Sequence, residues 1–166
     1  MGCNLKKCVF AGTFDPPTVG HENVIRTARK IFDEVVVAVM INPQKQTVFT
    51  VEERKSLLEK LFCGQEGITV KVFDGAVVDL LELEQTPFYI RGVRNTVDFE
   101  YENANHFASK KLKDDLVTIY IPAEQDCIEL SSTLVKNFIV FDKDISGYIP
   151  KKILKDVNKL LEKRYV

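Results

Sequence analysis

The stretch of the chain richest in groups able to do chemistry reads Gly12-Thr13-Phe14-Asp15-Pro16-Pro17-Thr18-Val19-Gly20-His21. It is neither a Gly-x-Gly-x-x-Gly dinucleotide fingerprint nor a Walker A loop, and neither pattern occurs elsewhere in the chain. Its parts still suit a phosphate. Gly12 lets the backbone come close to a ligand, and Thr13 supplies a hydroxyl. Two prolines stiffen the turn, and Thr18 can cap a helix whose free N–H groups point outward. His21 then falls in the first helical turn, facing any anion bound there. The chain has only 2 histidines, so the position of this one is informative. The plain alternative is a histidine that caps or packs at a helix start. His106, mid-helix between Asn105 and Phe107 with no cluster around it, reads as structural.

Three further groups of polar residues stand out. Asn42-Pro43-Gln44-Lys45 follows an apolar run, and Arg91-Gly92-Val93-Arg94 follows another, ahead of Asp98-Phe99-Glu100-Tyr101-Glu102. Leu130-Ser131-Ser132-Thr133 opens a helical pattern. Each has an ordinary reading as well. Lys45 could be a solvated lysine, and Arg91 and Arg94 could be ion-pair partners of the acids at 98–102. Ser131 to Thr133 could be a simple helix cap, a role compatible with phosphate binding. Phe99 and Tyr101 read as packing residues.

The elements that must position these groups alternate in type. Lys7 to Ala11 reads as a strand, and from Thr18 the apolar residues Val24, Ile25, Ala28, Ile31 and Phe32 recur at helical spacing. Val35 to Ile41 is β-branched and continuously apolar, as in a strand covered on both faces. Thr50 with Glu53 forms a capping-box signature, and Leu57, Leu58 and Leu61 continue that helix. Strands are then expected at Ile68 to Phe73, Phe88 to Val93 and Leu116 to Ile121. Helices are expected at Val77 to Leu83, Val97 to Leu112 and Ser131 to Phe141. An amphipathic helix closes the chain from about Lys151 to residue 164, its lysines forming a solvated face. The pattern implies an α/β fold: five strands in a mostly parallel, doubly wound sheet, with helices on both faces and right-handed crossovers. Ligands bind such sheets beyond the carboxyl ends of the strands. Those ends are where the loops named above lie.

Composition narrows the classes. At 166 residues and ~150 residues per domain, one domain over 1–166 is expected. Apolar residues make up 45%, enough for one core. Lys and Arg number 23 against 24 Asp and Glu, a net charge of −1, which argues against a protein that holds nucleic acid by bulk attraction. No run approaches the ~20 apolar residues of a membrane span. The N-terminus Met1-Gly2-Cys3-Asn4-Leu5-Lys6 lacks an apolar signal region, and Lys6 breaks the myristoylation pattern. Cys3, Cys8, Cys63 and Cys127 are scattered, which suggests reduced thiols and a cytoplasmic protein.

Thr18-x-Gly20-His21, preceded by Gly12-Thr13-Phe14-Asp15-Pro16, resembles the T/H-x-G-H signature of the nucleotidylyltransferase superfamily, whose fold is Rossmann-like. The Arg91 to Arg94 and Asp98 to Glu102 block is similar to that of the phosphopantetheine adenylyltransferase family. Asn42 to Lys45 with Phe49, Leu130 to Lys136, and Gly147 with Pro150 follow in that family's order. The resemblance covers about residues 7–150. It implies transfer of the adenylyl group of ATP to 4′-phosphopantetheine, with magnesium, giving dephospho-coenzyme A and pyrophosphate by direct attack on the α-phosphorus. By matched position, His21 would stabilise the transition state at the α-phosphate, and Thr13 would bridge ATP and the acceptor. Lys45 and Arg91 would hold the acceptor phosphate, and Val77 would line the pantetheine arm. Phe14, Gly92, Val93, Arg94, Glu102, Leu130, Ser131, Ser132 and Thr133 would complete the nucleotide site, with Arg94 on the phosphates. The family also implies a hexamer and feedback binding of coenzyme A. No metal ligand is expected from the protein. The chain departs from the family at Ala11, Leu130, Thr133, Ala76 and Val77, and above all at Ala123 to Glu129, where Asp126 and Glu129 would lie near the expected triphosphate. The alternatives are a sister nucleotidylyltransferase with another phosphorylated acceptor, or a non-catalytic nucleotide or coenzyme A sensor.

Overall fold

The computed structural model describes residues 6–165, so Cys3 and the rest of the segment read for targeting at 1–5 lie outside the described residues. The strands are β1 (Lys7–Gly12), β2 (Glu34–Met40), β3 (Ile68–Phe73), β4 (Phe88–Val93) and β5 (Val117–Pro122). The helices are α1 (Val19–Ile31), α2 (Val51–Phe62), α3 (Val77–Leu83), α4 (Thr96–Lys110), α5 (Ser132–Val140) and α6 (Lys151–Tyr165). The alternation is as expected, and β3, α3 and β4 carry the expected boundaries. The strands form one sheet in the order β3-β2-β1-β4-β5, and every neighbouring pair is parallel, where the pattern alone implied a mostly parallel sheet. A single 3₁₀ turn at Gln125–Cys127 was not anticipated.

Local chemistry explains the helix starts. Thr18 and Thr50 each complete a capping box, with His21 and Glu53 as the reciprocal partners. Asn95 and Ser131 accept the N–H groups of Asp98 and Leu134. Such caps contribute about 1 kcal/mol each. Burial then sets the layers. Val35 to Val39 are fully buried because β2 is covered on both faces. Along β1 the two-residue period sends Cys8 and Phe10 to one face, with Val9 and Ala11 on the other. The larger core packs α1, α2, α5 and α6 on the first face, through residues such as Ile25, Leu58, Val135 and Ile153. The smaller core packs Leu80 and Leu81 of α3 against the second.

Helix α4 is attached differently. None of its residues is buried, and Val97, Tyr101, Phe107 and Leu112 of the α4 region are exposed. Polar and aromatic contacts tie it to β4 and β5: Glu102 to Arg91, His106 Nδ1 to Thr118 Oγ1 at 2.8 Å, and the Phe99 ring edge-on to Tyr120. Among the described residues, no helix is long and apolar enough to cross a membrane.

The strand order creates the crevice. From β1 the chain moves outward through β2 to β3, then returns across the sheet so that β4 lies on the other side of β1. β1 and β4 pair only at Val9 with Tyr89 and Phe10 with Ile90. Beyond those pairs the strands part, and a ligand can enter between them. Gly92, just past this point, is demanded by packing: a Cβ there would lie 2.9 Å from Cγ2 of Val24 on α1. We expect Gly92→Ala to cost roughly 1–3 kcal/mol through overpacking, read as a lowered midpoint in thermal unfolding.

Candidate active site

A cavity of ≈ 500 Å³ opens at the carboxyl ends of β1 and β4. The predicted residues Thr13, Phe14, His21, Lys45, Val77, Arg91, Gly92, Val93, Arg94, Glu102, Leu130, Ser131 and Ser132 all line it. Thr133 is exposed and does not reach the wall. Met40, Asn42, Tyr89, Asp98 and Cys127 also line the cavity, and sequence reasoning did not assign them to the site. For Tyr89 a signal existed, because it precedes Arg91 by two residues on one strand and so shares its face.

The β1–α1 loop is shaped by Phe14. Its φ of 51° lies in the left-handed region, and its ring is buried edge-on against Phe10 at 5.5 Å and His21 at 4.9 Å. A Cβ on Gly12 would meet that ring at 3.1 Å, so Gly12 makes room for Phe14 in addition to any ligand. Phe14, 1% exposed, offers little more than an edge to the cavity.

His21 is oriented by the helix that carries it. Thr18 N–H donates to His21 Nδ1 at 3.1 Å, and His21 N–H donates to Thr18 Oγ1 at 3.4 Å. With Nδ1 an acceptor, the proton of the neutral ring is assigned to Nε2, the remaining donor. Nearby, Val19 N–H donates to the Tyr148 carbonyl at 3.0 Å, and Gly20 N–H has no protein acceptor among the described residues. Across the cavity, Ser131 Oγ accepts Leu134 N–H at 3.0 Å, keeping its own proton free to donate. The first N–H groups of α5 lack intrahelical acceptors, as at any helix start. Two helix N-termini therefore converge on one space, an arrangement suited to phosphates.

Both arginines are ion-paired and also border the cavity. Arg91 Nε donates to Glu102 Oε2 at 2.8 Å and Nη2 donates to Oε1, while Nη1 donates to the Ala11 carbonyl and Tyr89 hydroxyl, each at 3.0 Å. Of its five donors a single Nη2–H is left. Arg94 Nε and Nη2 donate to Asp98 at 2.6 and 2.9 Å, and Nη1 donates to the Leu130 carbonyl at 3.2 Å. The hydrogen bonds from Arg94 to its carboxylate hold the Asp98 carboxyl below its ordinary range. Lys45 differs, lying exposed on the Asn42–Lys45 turn with no carboxylate partner among the described residues. In the divergent loop, Ala123 and Cys127 reach the wall, while Asp126 and Glu129 are exposed and outside it.

The surroundings set the charge of His21. Burial first, then the guanidinium charges of Arg91 and Arg94, push its pKa from 6.5 down to about 4, although the residue as a whole is only half-buried. The unfolded chain therefore binds this proton more readily than the folded one. His21 adds stability that is complete above pH 6.5 and is lost as the pH falls toward about 4. In a pH titration followed by NMR, we expect the His21 ring signals of the free protein to move with a midpoint near 4. A midpoint near 6.5 would contradict the neutral, Nε2-protonated donor.

Comparison with known proteins agrees with this geometry. The sequence profile of the cytidylyltransferase-like family matches residues 9–138. A phosphopantetheine adenylyltransferase of Natranaerobius thermophilus is 37% identical over 160 residues, covering 96% of this chain and 97% of its own. One of Fusobacterium nucleatum is 38% identical over 154 residues, covering 92% and 94%. A crystal structure from Vibrio parahaemolyticus, assigned as a nicotinate-nucleotide adenylyltransferase, superposes with a TM-score of 0.66 at 20% identity, covering 95% of each chain, and shows the shared fold. With the T-x-G-H helix start, the paired arginines and relatives matching along nearly the whole length, the chain belongs to the phosphopantetheine adenylyltransferase family of cytidylyltransferase-like proteins.

Proposed function

We propose that this protein transfers the adenylyl group of ATP to 4′-phosphopantetheine, giving dephospho-coenzyme A and pyrophosphate in coenzyme A biosynthesis. One observation carries the reading: His21, the starts of α1 and α5, Lys45, Arg91 and Arg94 border a single cavity at the β1–β4 crevice. An oxygen of the acceptor phosphate attacks the α-phosphorus, the bond to the bridging oxygen breaks, and pyrophosphate leaves. No covalent enzyme intermediate forms, so the residues act by positioning and by donating to developing charge. His21 Nε2–H serves the α-phosphate oxygens. The N-terminus of α5, with Ser131 and Ser132, serves the β- and γ-phosphates. Lys45 and the remaining Arg91 proton hold the acceptor phosphate, with Thr13 between the two reactants and Val77 beside the pantetheine arm.

Magnesium bound to ATP would supply Lewis-acid polarisation of the phosphates. Asp98 and Glu102, the carboxylates on the wall, each hold a guanidinium. No cluster of 3 or more His, Cys, Asp or Glu able to hold a metal occurs among the described residues. In this proposal the metal would be held by the nucleotide's own phosphates and by water. Coenzyme A shares the pantetheine and adenylyl parts of the reactants and would compete for the same space as a feedback ligand. The exposed apolar residues of α4 support assembly into an oligomer, a hexamer in this proposal. The cytoplasm, where ATP is plentiful, is the proposed compartment.

The test is pyrophosphate release from ATP, magnesium and 4′-phosphopantetheine. Turnover is expected with this acceptor, and turnover with nicotinate mononucleotide alone would transfer the reading to a sister enzyme. Binding of both reactants without turnover would identify a sensor. His21→Ala should lower kcat by roughly 10²–10³, the usual loss for one transition-state donor, with little change in ATP affinity. Lys45→Ala should raise the KM for 4′-phosphopantetheine and leave ATP binding nearly unchanged. An effect confined to ATP would contradict its placement.

A further inference from the structure

Asp15 is absent from the cavity wall and is 1% exposed, yet it is a carboxylate in the loop that carries Thr13 and His21. A buried carboxylate persists only where its oxygens are satisfied. Oδ2 accepts Val48 N–H and Oδ1 accepts Phe49 N–H, both at 2.9 Å. Lys136, on α5, places Nζ 3.7 Å from Oδ2 and donates to the Gln46 carbonyl at 3.5 Å. Arg54, 3% exposed, works in the opposite direction, donating Nη1–H to the Thr13 carbonyl at 2.7 Å and Nε–H to the Phe49 carbonyl at 3.1 Å. The β1–α1 loop and the segment 46–49 are thereby joined twice, and α5 is tied to both.

Lys45 precedes that segment directly. Among the described residues its own turn is held only by Asn42, which accepts Gln44 N–H at 2.9 Å and Lys45 N–H at 3.0 Å, and the turn is exposed. What locates the Lys45 ammonium relative to Thr13 and His21 is therefore the clasp on 46–49. We propose that Asp15, with Lys136, is a positioning pair that holds the Lys45 segment in register with the Thr13–His21 loop, so that Lys45 reaches the acceptor phosphate. The proposal rests on the assignment of Lys45 to that phosphate. Misplacement of a positioned group by about 1 Å can cost roughly 10²-fold in rate.

Asp15→Asn keeps the shape but replaces one acceptor oxygen with an amide, which orphans one of the two backbone N–H groups. It should raise the KM for 4′-phosphopantetheine about tenfold and lower kcat, an effect within the range for a misplaced group. The discriminating measurement is a double-mutant cycle with Lys45→Ala. Because Asp15 acts through Lys45, adding Asp15→Asn to Lys45→Ala should change acceptor kcat/KM by less than about twofold. Additive losses would overturn the proposal. Should Asp15→Asn not fold, the cycle is run with Lys136→Met, under the same expectation and the same overturning result, with Lys136→Arg restoring the wild-type KM.

Amide hydrogen exchange gives a readout that needs no turnover. In Asp15→Asn, Val48 and Phe49 should exchange faster than in the wild type, and unchanged protection would overturn the clasp. A wild-type protein inactive toward 4′-phosphopantetheine would sink the functional assignment alone, since the exchange result decides the clasp independently.

Discussion

The parting of β1 and β4 is the constraint on which the site depends. These strands pair at two positions only, Val9 with Tyr89 and Phe10 with Ile90, because their crossovers leave toward opposite edges of the sheet. Past Phe10 the backbone of β1 has lost its neighbour on that side, and the Ala11 carbonyl takes Nη1–H of Arg91 in its place. The N-termini of α1 and α5 border the same opening. Gly92 allows α1 to approach β4 closely, since any Cβ there would collide with Val24. The crevice, its cationic wall and its N–H donors follow from one topological fact.

The cavity meets highly charged reactants with little net charge of its own. Three cations, Lys45, Arg91 and Arg94, share the wall with two carboxylates, Asp98 and Glu102. His21, enclosed and beside two guanidiniums, is neutral at pH 7. What the cavity offers instead is directed donors: helix-start N–H groups, hydroxyls, an imidazole Nε2–H and the guanidinium protons left over from the ion pairs. Fixed donors in a partly enclosed space need no reorganisation as charge develops, which is how such sites lower a barrier. The acids serve this purpose too. By holding both arginines bidentately they keep the forks from collapsing into the cavity or wandering into solvent, at the cost of donors that a ligand could have used. Helix α4, which supplies Asp98 and Glu102, is itself fastened by those pairs more than by apolar burial.

Much of this was legible in the order of residues, because the interactions responsible are short-range. A cap and its partner lie three residues apart, as in Thr18 with His21 and Thr50 with Glu53. Strand and helix periods span a few residues, so β3, α3 and β4 could be bounded without any knowledge of the sheet. The T-x-G-H helix start and the Arg91 to Glu102 block are local as well, and the fold brings residues of both to one cavity wall. Thr133 stands apart from them, exposed at the start of α5 while Ser131 and Ser132 line the cavity.

Long-range pairing was beyond the sequence. Nothing near Asp15 announces that its carboxylate will take the amides of Val48 and Phe49, or that Arg54 will reach back to the Thr13 carbonyl. Whether Arg91 and Arg94 are free or paired, and on which side of a wall Asp126 and Glu129 fall, are likewise settled only when the elements pack. Residue types and spacing determine which groups are present and which helix start or strand end bears them. Distances between those ends depend on crossovers and on core volume summed over the chain, and so only the packed sheet decides which donors remain available.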